Sequence, residues 1–236
     1  MTKGCLITAT DTNAGKTWIA LGLMSALQQR GLRVAGMKPV ASGCVQTEQG
    51  WRNSDALMLM RHSDLPLVYE DINPYAFEPA IAPHIAAEEA RIGIDLHCIL
   101  AAFEKLSRIA DFTVVEGVGG WRVPLSKTLG IRDLAAALGL PVILVAGVRL
   151  GGINHALLTA EAIVRDGVPF AGWIANQVDA DYSRLPQTIA TLKARINAPC
   201  LAVVPWISAL SADSVGAHLS CAAAFLDKVL PVENMR

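Results

Sequence analysis

What this sequence has little of narrows its function before any motif is read. Across 236 residues, 20 lysines and arginines are set against 21 aspartates and glutamates, so no positive surplus marks it for nucleic acid or an anionic membrane. The five cysteines, Cys5, Cys44, Cys98, Cys200 and Cys221, are odd in number and include no CxxC pair. That pattern argues against a disulfide framework or cysteine-rich metal site and for buried or partly buried free thiols in a reducing compartment. The strongest internal apolar run, "PVILVAGV" from Pro141 to Val148, is far too short to cross a bilayer. The early apolar stretch has one lysine before it and runs straight into a Gly-Lys-Thr tripeptide, which is no signal peptide. A soluble, cytoplasmic protein is therefore expected.

Charge is scarce overall, at 17% of residues, while 53% are apolar. Such a chain buries a large core and does not remain disordered. There is no internal repeat and no low-complexity tract, so one domain over residues 1–236 is the simpler expectation.

Short branched apolar runs alternate with longer helical patterns. "GCLITA", "RVAGMKPV", "DFTVVEG", "PVILVAGV", "FAGWIANQ" and "CLAVVPW" read as strands. Helical spacing is predicted from Lys16 to a C-cap at Gly31, and over Ile131 to Leu138, Asn154 to Arg165, Tyr182 to Arg195 and Ser214 to Val229. Strands apolar on both faces and joined by helices predict an α/β fold, a doubly wound, mostly parallel sheet with helices on both faces. Ligands then sit beyond the carboxyl ends of the strands. Residues 41–94 read differently, with "RNSDALMLMRHS" as a helix and "INPYAFEPAIAPH" as an extended loop over the sheet edge.

The stretch "LITATDTNAGKTW" lacks a glycine where a phosphate loop usually starts. Counting back four residues from Gly15 puts Thr10 in that place, with Ala9 before it. The end of the pattern is intact, and it lies between a strand and a strong helix. There Gly15 allows close backbone approach, Lys16 reaches between β and γ phosphates, and Thr17 offers a hydroxyl to magnesium. If the loop is one residue longer, Ala9 is the turn position and needs a backbone conformation open to alanine. Asp11 either caps or folds the loop, and Thr12 touches either phosphate or substrate.

Magnesium prefers hard oxygen ligands, and two carboxylates are placed to supply them. Glu116 closes the strand "FTVVE" ahead of "GVGG". Asp55 begins the helix after "RNS", where it either binds the metal or stabilises the helix dipole. Lys38 ends a strand in "GMKPVASG", read as an interior parallel strand, and is expected to face the ligand crevice, because an unpaired buried ammonium is expensive. Ser42 brings a hydroxyl to the same region. "GGINHA", Gly151 to Ala156, opens a helix with glycines and makes an anion site. His155 within it reads as a packed or hydrogen-bonded side chain.

These pieces together resemble the dethiobiotin synthase family. Thr10-Asp11-Thr12 with Gly15-Lys16-Thr17, "GMKPVASG", "RNSDAL", "VVEGVGGW", "LPVILVAGVRLGGINHALLT", "AGWIAN" and "VVPW" occur in family order along most of the chain. The resemblance implies a P-loop NTPase-like fold in which the loop has a Gly-x5-Gly-Lys-Thr spacing. It also implies a homodimer that closes the ureido ring of dethiobiotin from 7,8-diaminononanoate, CO2 and ATP with Mg2+. The route runs through a carbamate and a carbamic-phosphoric mixed anhydride.

By position, the resemblance assigns Asn13, Ala14, Gly15, Lys16, Thr17 and Trp18 to the ATP phosphates, and Thr17, Asp55 and Glu116 to magnesium. Lys38, Lys16 and Thr12 form the catalytic set, and Ser42 and Thr12 contact substrate. Glu116, Gly117, Val118 and Gly119 line the phosphate and substrate side. Asn176 and Gln177, with Pro205, Trp206 and Ile207, match the adenine pocket. Gly151, Gly152, Ile153 and Asn154 receive the distal carboxylate of the substrate across the dimer interface. Three positions depart from the family: Ala9 replaces the first glycine, Thr188 stands where relatives commonly carry an aromatic, and Ala212 lacks a polar amide. Two alternatives remain, a related P-loop amide synthase, which would need a glutamine-hydrolysing domain, and a nucleotide-switch or partitioning ATPase.

Overall fold

The structure, a computed structural model, describes residues 3–229. Six parallel strands form the main sheet, in the order β10-β9-β8-β1-β7-β2. They are β1 (Lys3–Ala9), β2 (Val34–Met37), β7 (Phe112–Glu116), β8 (Val142–Val148), β9 (Phe170–Gln177) and β10 (Cys200–Val204). All seven residues of β8 are buried, as an apolar run in a doubly covered sheet requires.

The two faces alternate along each strand. On β8, Val142, Leu144, Ala146 and Val148 join one core layer, while Ile143 and Val145 join the other. The first layer lies under α5 (Leu96–Ile109), α6 (Ile131–Leu138), α7 (Gly152–Arg165) and α8 (Leu185–Arg195). The second lies under α1 (Lys16–Gln28), α9 (Ala212–Gly216) and α10 (Ser220–Val229). The expected doubly wound architecture is what the chain adopts. β1 sits between β7 and β8, so the chain changes side around it. That reversal opens a crevice at the carboxyl ends of the central strands.

Several local expectations need correction. β2 is an edge strand of the sheet rather than an interior one. The C-cap expected at Gly31 does hold: at φ +85° it ends α1, its amide donating to the Gln28 carbonyl oxygen at 2.8 Å and the Leu32 amide to the Leu27 carbonyl oxygen at 3.3 Å. Tyr182 to Arg184 precede α8, whose first turn holds Pro186. Ser214 to Val229 is two helices, α9 and α10, separated at Ala217–Leu219. Gly216 marks the break, where a methyl group would lie 3.0 Å from the Gly22 carbonyl oxygen of α1.

Residues 41–94 are more ordered than a loop. β3 (Val40–Ser42) pairs in parallel with β6 (Tyr75–Phe77), and β4 (Val45–Thr47) forms an antiparallel hairpin with β5 (Gly50–Arg52). The predicted helix is α2 (Ser54–His62), and the stretch read as extended, Ile72 to His84, holds β6 and is otherwise non-helical between α3 (Tyr69–Ile72) and α4 (Pro83–Ala90), which overlap only its ends. All five cysteines are free, but Cys98 and Cys221 are exposed rather than buried. No helix among the described residues is long and apolar enough to cross a membrane.

Candidate active site

β1 runs straight to its last residue. Ala9 is fully buried, pairs with Val145 of β8, and does not have a positive φ. The conformation at this position is one alanine adopts without strain. The chain turns only afterwards, through Thr10 and Asp11 into a single 3-10 turn, Thr12–Ala14, and then Gly15 at φ +86°. Gly15 heads α1 without a side-chain cap. The first amide groups of α1 are thus left for a ligand, with the positive end of the helix behind them.

A cavity of about 420 Å³ opens there. It collects Thr12, Asn13, Gly15, Lys16, Thr17 and Trp18 from the phosphate loop, and Lys38 and Ser42 from the end of β2 and β3. Asp55 of α2, with Glu116, Val118 and Gly119 from the end of β7, completes the predicted members. Segments more than 100 residues apart in sequence meet because each lies at the carboxyl end of its strand or the start of its helix.

Lys38 is 5% exposed. Its Nζ donates to Asp55 Oδ2 at 2.9 Å and to Glu116 Oε1 at 2.5 Å. Burial alone would lower this ammonium, but Glu116 and Asp55 outweigh burial and hold it above its ordinary value. The lysine therefore faces the crevice as a buried, paired cation and not as an exposed one. Asp55 does not cap α2. Asn53 does, accepting from the Asp55 and Ala56 amides, which leaves the Asp55 carboxylate for Lys38.

Glu116 is fully buried. Its Oε1 also accepts from Thr17 Oγ1 at 3.0 Å, and its Oε2 has no hydrogen-bond partner among the described residues. A buried carboxylate oxygen without a partner is costly, and Glu116 lines the same cavity as Thr17 and Asp55. Two carboxylates and a hydroxyl are a donor set that suits a hard cation completed by phosphate and water oxygens. No group of three or more His, Cys, Asp or Glu residues that could hold a metal by itself occurs among the described residues.

Lys16 Nζ donates to the Asp11 carbonyl oxygen at 3.1 Å. Burial, with help from Lys38, pulls it down to about 8, while Glu116, Asp55 and Asp11 push the other way. A polyphosphate at this site would hold Lys16 charged, so above pH 8 binding must take up a proton. The dissociation constant for ATP is expected to be flat with pH below about 8 and to rise by up to about tenfold per pH unit above it. Lys16→Arg keeps its charge and should flatten the profile. Titration calorimetry from pH 7 to 9.5 checks this, and a pH-independent wild-type constant would contradict it.

The other predicted residues fall around the cavity. Ala14 is buried behind the loop, and its carbonyl oxygen accepts from Asn176 Nδ2 at 2.9 Å. Gln177 Oε1 accepts from the Trp206 amide at 3.3 Å, which joins the ends of β9 and β10, where Pro205 and Ile207 also lie. Gly117 donates its amide to the Ile7 carbonyl oxygen at 2.9 Å and packs behind the cleft. Gly151 to Asn154 open α7, with Gly151 at φ +84°, and do not line the cavity. His155 is exposed, against the expectation of a packed side chain. Tyr182 supplies an aromatic near Thr188, since their hydroxyl oxygens lie 2.7 Å apart.

Ala41, Asn53 and Met58 line the cavity without having been singled out from sequence. Asn53 carried a readable signal, as an N-cap residue ahead of a helical pattern. Met58 carried none beyond its helix.

Comparison with known proteins agrees with the geometry. The AAA domain family matches residues 3–214. An ATP-dependent dethiobiotin synthetase BioD of Cellvibrio japonicus is 55% identical over 92% of this chain and 95% of its own. The BioD of Pseudomonas paraeruginosa is 56% identical over 90% and 94%. Among solved structures, the MinD cell division protein of Aquifex aeolicus superposes with a TM-score of 0.59 at 15% identity, covering 99% of this chain and 98% of that one. A ParA family ATPase from Chlorobium tepidum reaches 0.55 at 13% identity, covering 95% and 93%. At such identities the likeness is one of fold. Identity above one half across nine-tenths of the length is a different matter, and the chain belongs to the ATP-dependent dethiobiotin synthetase family.

Proposed function

We propose that the protein converts 7,8-diaminononanoate, CO2 and ATP into dethiobiotin, ADP and phosphate. The observation that carries this reading is the pairing of two lysines in one cleft. Lys16 lies at the phosphate loop, and Lys38 is buried between two carboxylates beside it.

One amine of the substrate adds to the carbon of CO2 and loses a proton, giving a carbamate. A carbamate oxygen attacks the γ phosphorus as its bond to ADP breaks. The second amine attacks the carbamoyl carbon, the bond to the phosphate oxygen breaks, a proton leaves, and the cyclic urea remains. Protein groups contribute alignment and fixed charge rather than a covalent intermediate. Lys16 neutralises the transferring phosphoryl group, and Lys38 holds the carbamate. Thr12 and Ser42 orient the diamine, while Asn176, Gln177 and Pro205 to Ile207 receive the adenine.

Thr17, Asp55 and Glu116 would hold Mg2+, which on binding would offset charge on the phosphate oxygens. The unpartnered Glu116 Oε2 supports that assignment. The glycines at the start of α7 support an anion site for the substrate's distal carboxylate. The exposed Leu150 and Leu158 on and beside that helix support a homodimer formed over it. The whole chain is read as one catalytic unit.

Purified protein with MgATP should release ADP only when the diamine and bicarbonate are both present. An equimolar product of the mass of dethiobiotin should accompany it. Steady ATP hydrolysis without that product would favour a nucleotide switch instead.

A further inference from the structure

Asp11 has no part in the chemistry above, and the structure decides between its two sequence readings. It precedes the 3-10 turn Thr12–Ala14 but makes no side-chain cap to it. Its carboxylate instead pairs with the guanidinium of Arg149, 138 residues away in the turn between β8 and α7. One residue earlier, Thr10 is held to the same strand end. Its amide donates to the Val145 carbonyl oxygen at 3.0 Å, and its hydroxyl accepts from the Gly147 amide at 3.2 Å. Arg149 is itself fixed, since its carbonyl oxygen accepts from the Gly152 amide at 2.9 Å as α7 begins.

We propose that Asp11 and Arg149 form a strut that positions the phosphate loop for polyphosphate, acting through Lys16. The Asp11 carbonyl is the group to which Lys16 Nζ is bonded, so the ion pair sets both the course of the loop and the resting place of its lysine. The loop leaves β1 from Ala9 without a flexible glycine, and the two anchors at the end of β8 define its path. Both side chains are only half-buried, and such a pair adds little to global stability. Its effect is local, through preorganisation of a site that would otherwise be ordered at the expense of binding. The same turn starts α7, so the strut also ties the nucleotide loop to the proposed carboxylate site.

The inference rests on the proposed nucleotide site, and the test separates the two. ATP dissociation constants, melting temperatures and steady-state constants are measured for wild type, Asp11→Ala, Arg149→Ala, the double variant and Arg149→Lys. Each alanine variant should bind ATP about tenfold more weakly, with KM for ATP raised alike, kcat within about threefold and the melting temperature little changed. The double variant should be no weaker than the weaker single one, and Arg149→Lys should recover most of the loss. A constant within twofold of wild type in either single variant would overturn the strut. So would losses that multiply in the double variant, or tighter binding by Asp11→Ala, which would mean that Arg149 reaches the phosphate itself. If wild type fails to bind ATP, the nucleotide reading fails first.

Discussion

Lys38→Met is expected to lower dethiobiotin formation by about 10²–10³-fold at saturating substrates, with a much smaller effect on ATP affinity. The lysine ends an edge strand, yet it is 5% exposed and bonded to two carboxylates. Those contacts fix its charge in one place before any substrate arrives. In the proposed mechanism a fixed cation needs no reorganisation as negative charge develops on the carbamate and the phosphoryl group, so removing it should raise the barrier more than it weakens binding.

The same substitution has a structural cost. Fully buried Glu116 loses its cation, and breaking a buried pair in this way costs on the order of 3–5 kcal/mol, eased where half-buried Asp55 turns to water. The melting temperature should therefore fall by several degrees. Activity is to be compared well below the variant's unfolding transition, by product mass against time. A Lys38→Met enzyme that folds and forms product at near wild-type rate would remove Lys38 from the catalytic set.

Gly15→Ala should weaken ATP binding by about a hundredfold while leaving the sheet intact. Gly15 sits at φ +86°, where an L-residue costs about 1–2 kcal/mol. Its added methyl would lie 2.2 Å from Asn176 Nδ2, the donor that holds the Ala14 carbonyl. Moving that amide gives up a hydrogen bond worth about 1 kcal/mol. The free protein can relieve the strain by shifting the loop, but nucleotide binding at the proposed site would demand the original turn. Gly31→Ala is the matched control, with φ +85° and nothing within 4 Å of the added methyl. It should show the backbone cost in stability and no change in ATP affinity. Calorimetry on both variants separates the two effects, and equal affinities for ATP would refute the role given to Gly15.

Much of this site was legible in the sequence because chemistry and topology coincide there. Lys16, Lys38, Asp55 and Glu116 each end a strand or begin a helix, and in a doubly wound sheet those positions converge. The long strands were legible for a related reason, since a run such as Val142 to Val148 is apolar on both faces and only a covered sheet accommodates it. The three-residue strands β3 to β6 are too short to show a period. The break between α9 and α10 depends on Gly216 packing against α1, a tertiary contact. The Asp11–Arg149 pair spans 138 positions, and no local pattern points from one to the other. Ala9 looked anomalous only while the turn was counted as beginning there; the chain stays in the strand through Ala9 and turns at Thr10.

The central claim is that a carbamate oxygen attacks the γ phosphorus, and isotope transfer tests it most directly. With ¹⁸O-labelled bicarbonate, the diamine and MgATP, each inorganic phosphate released alongside dethiobiotin should carry one oxygen from the label, scored by mass spectrometry before exchange with water dilutes it. Unlabelled phosphate formed in step with dethiobiotin would contradict the account.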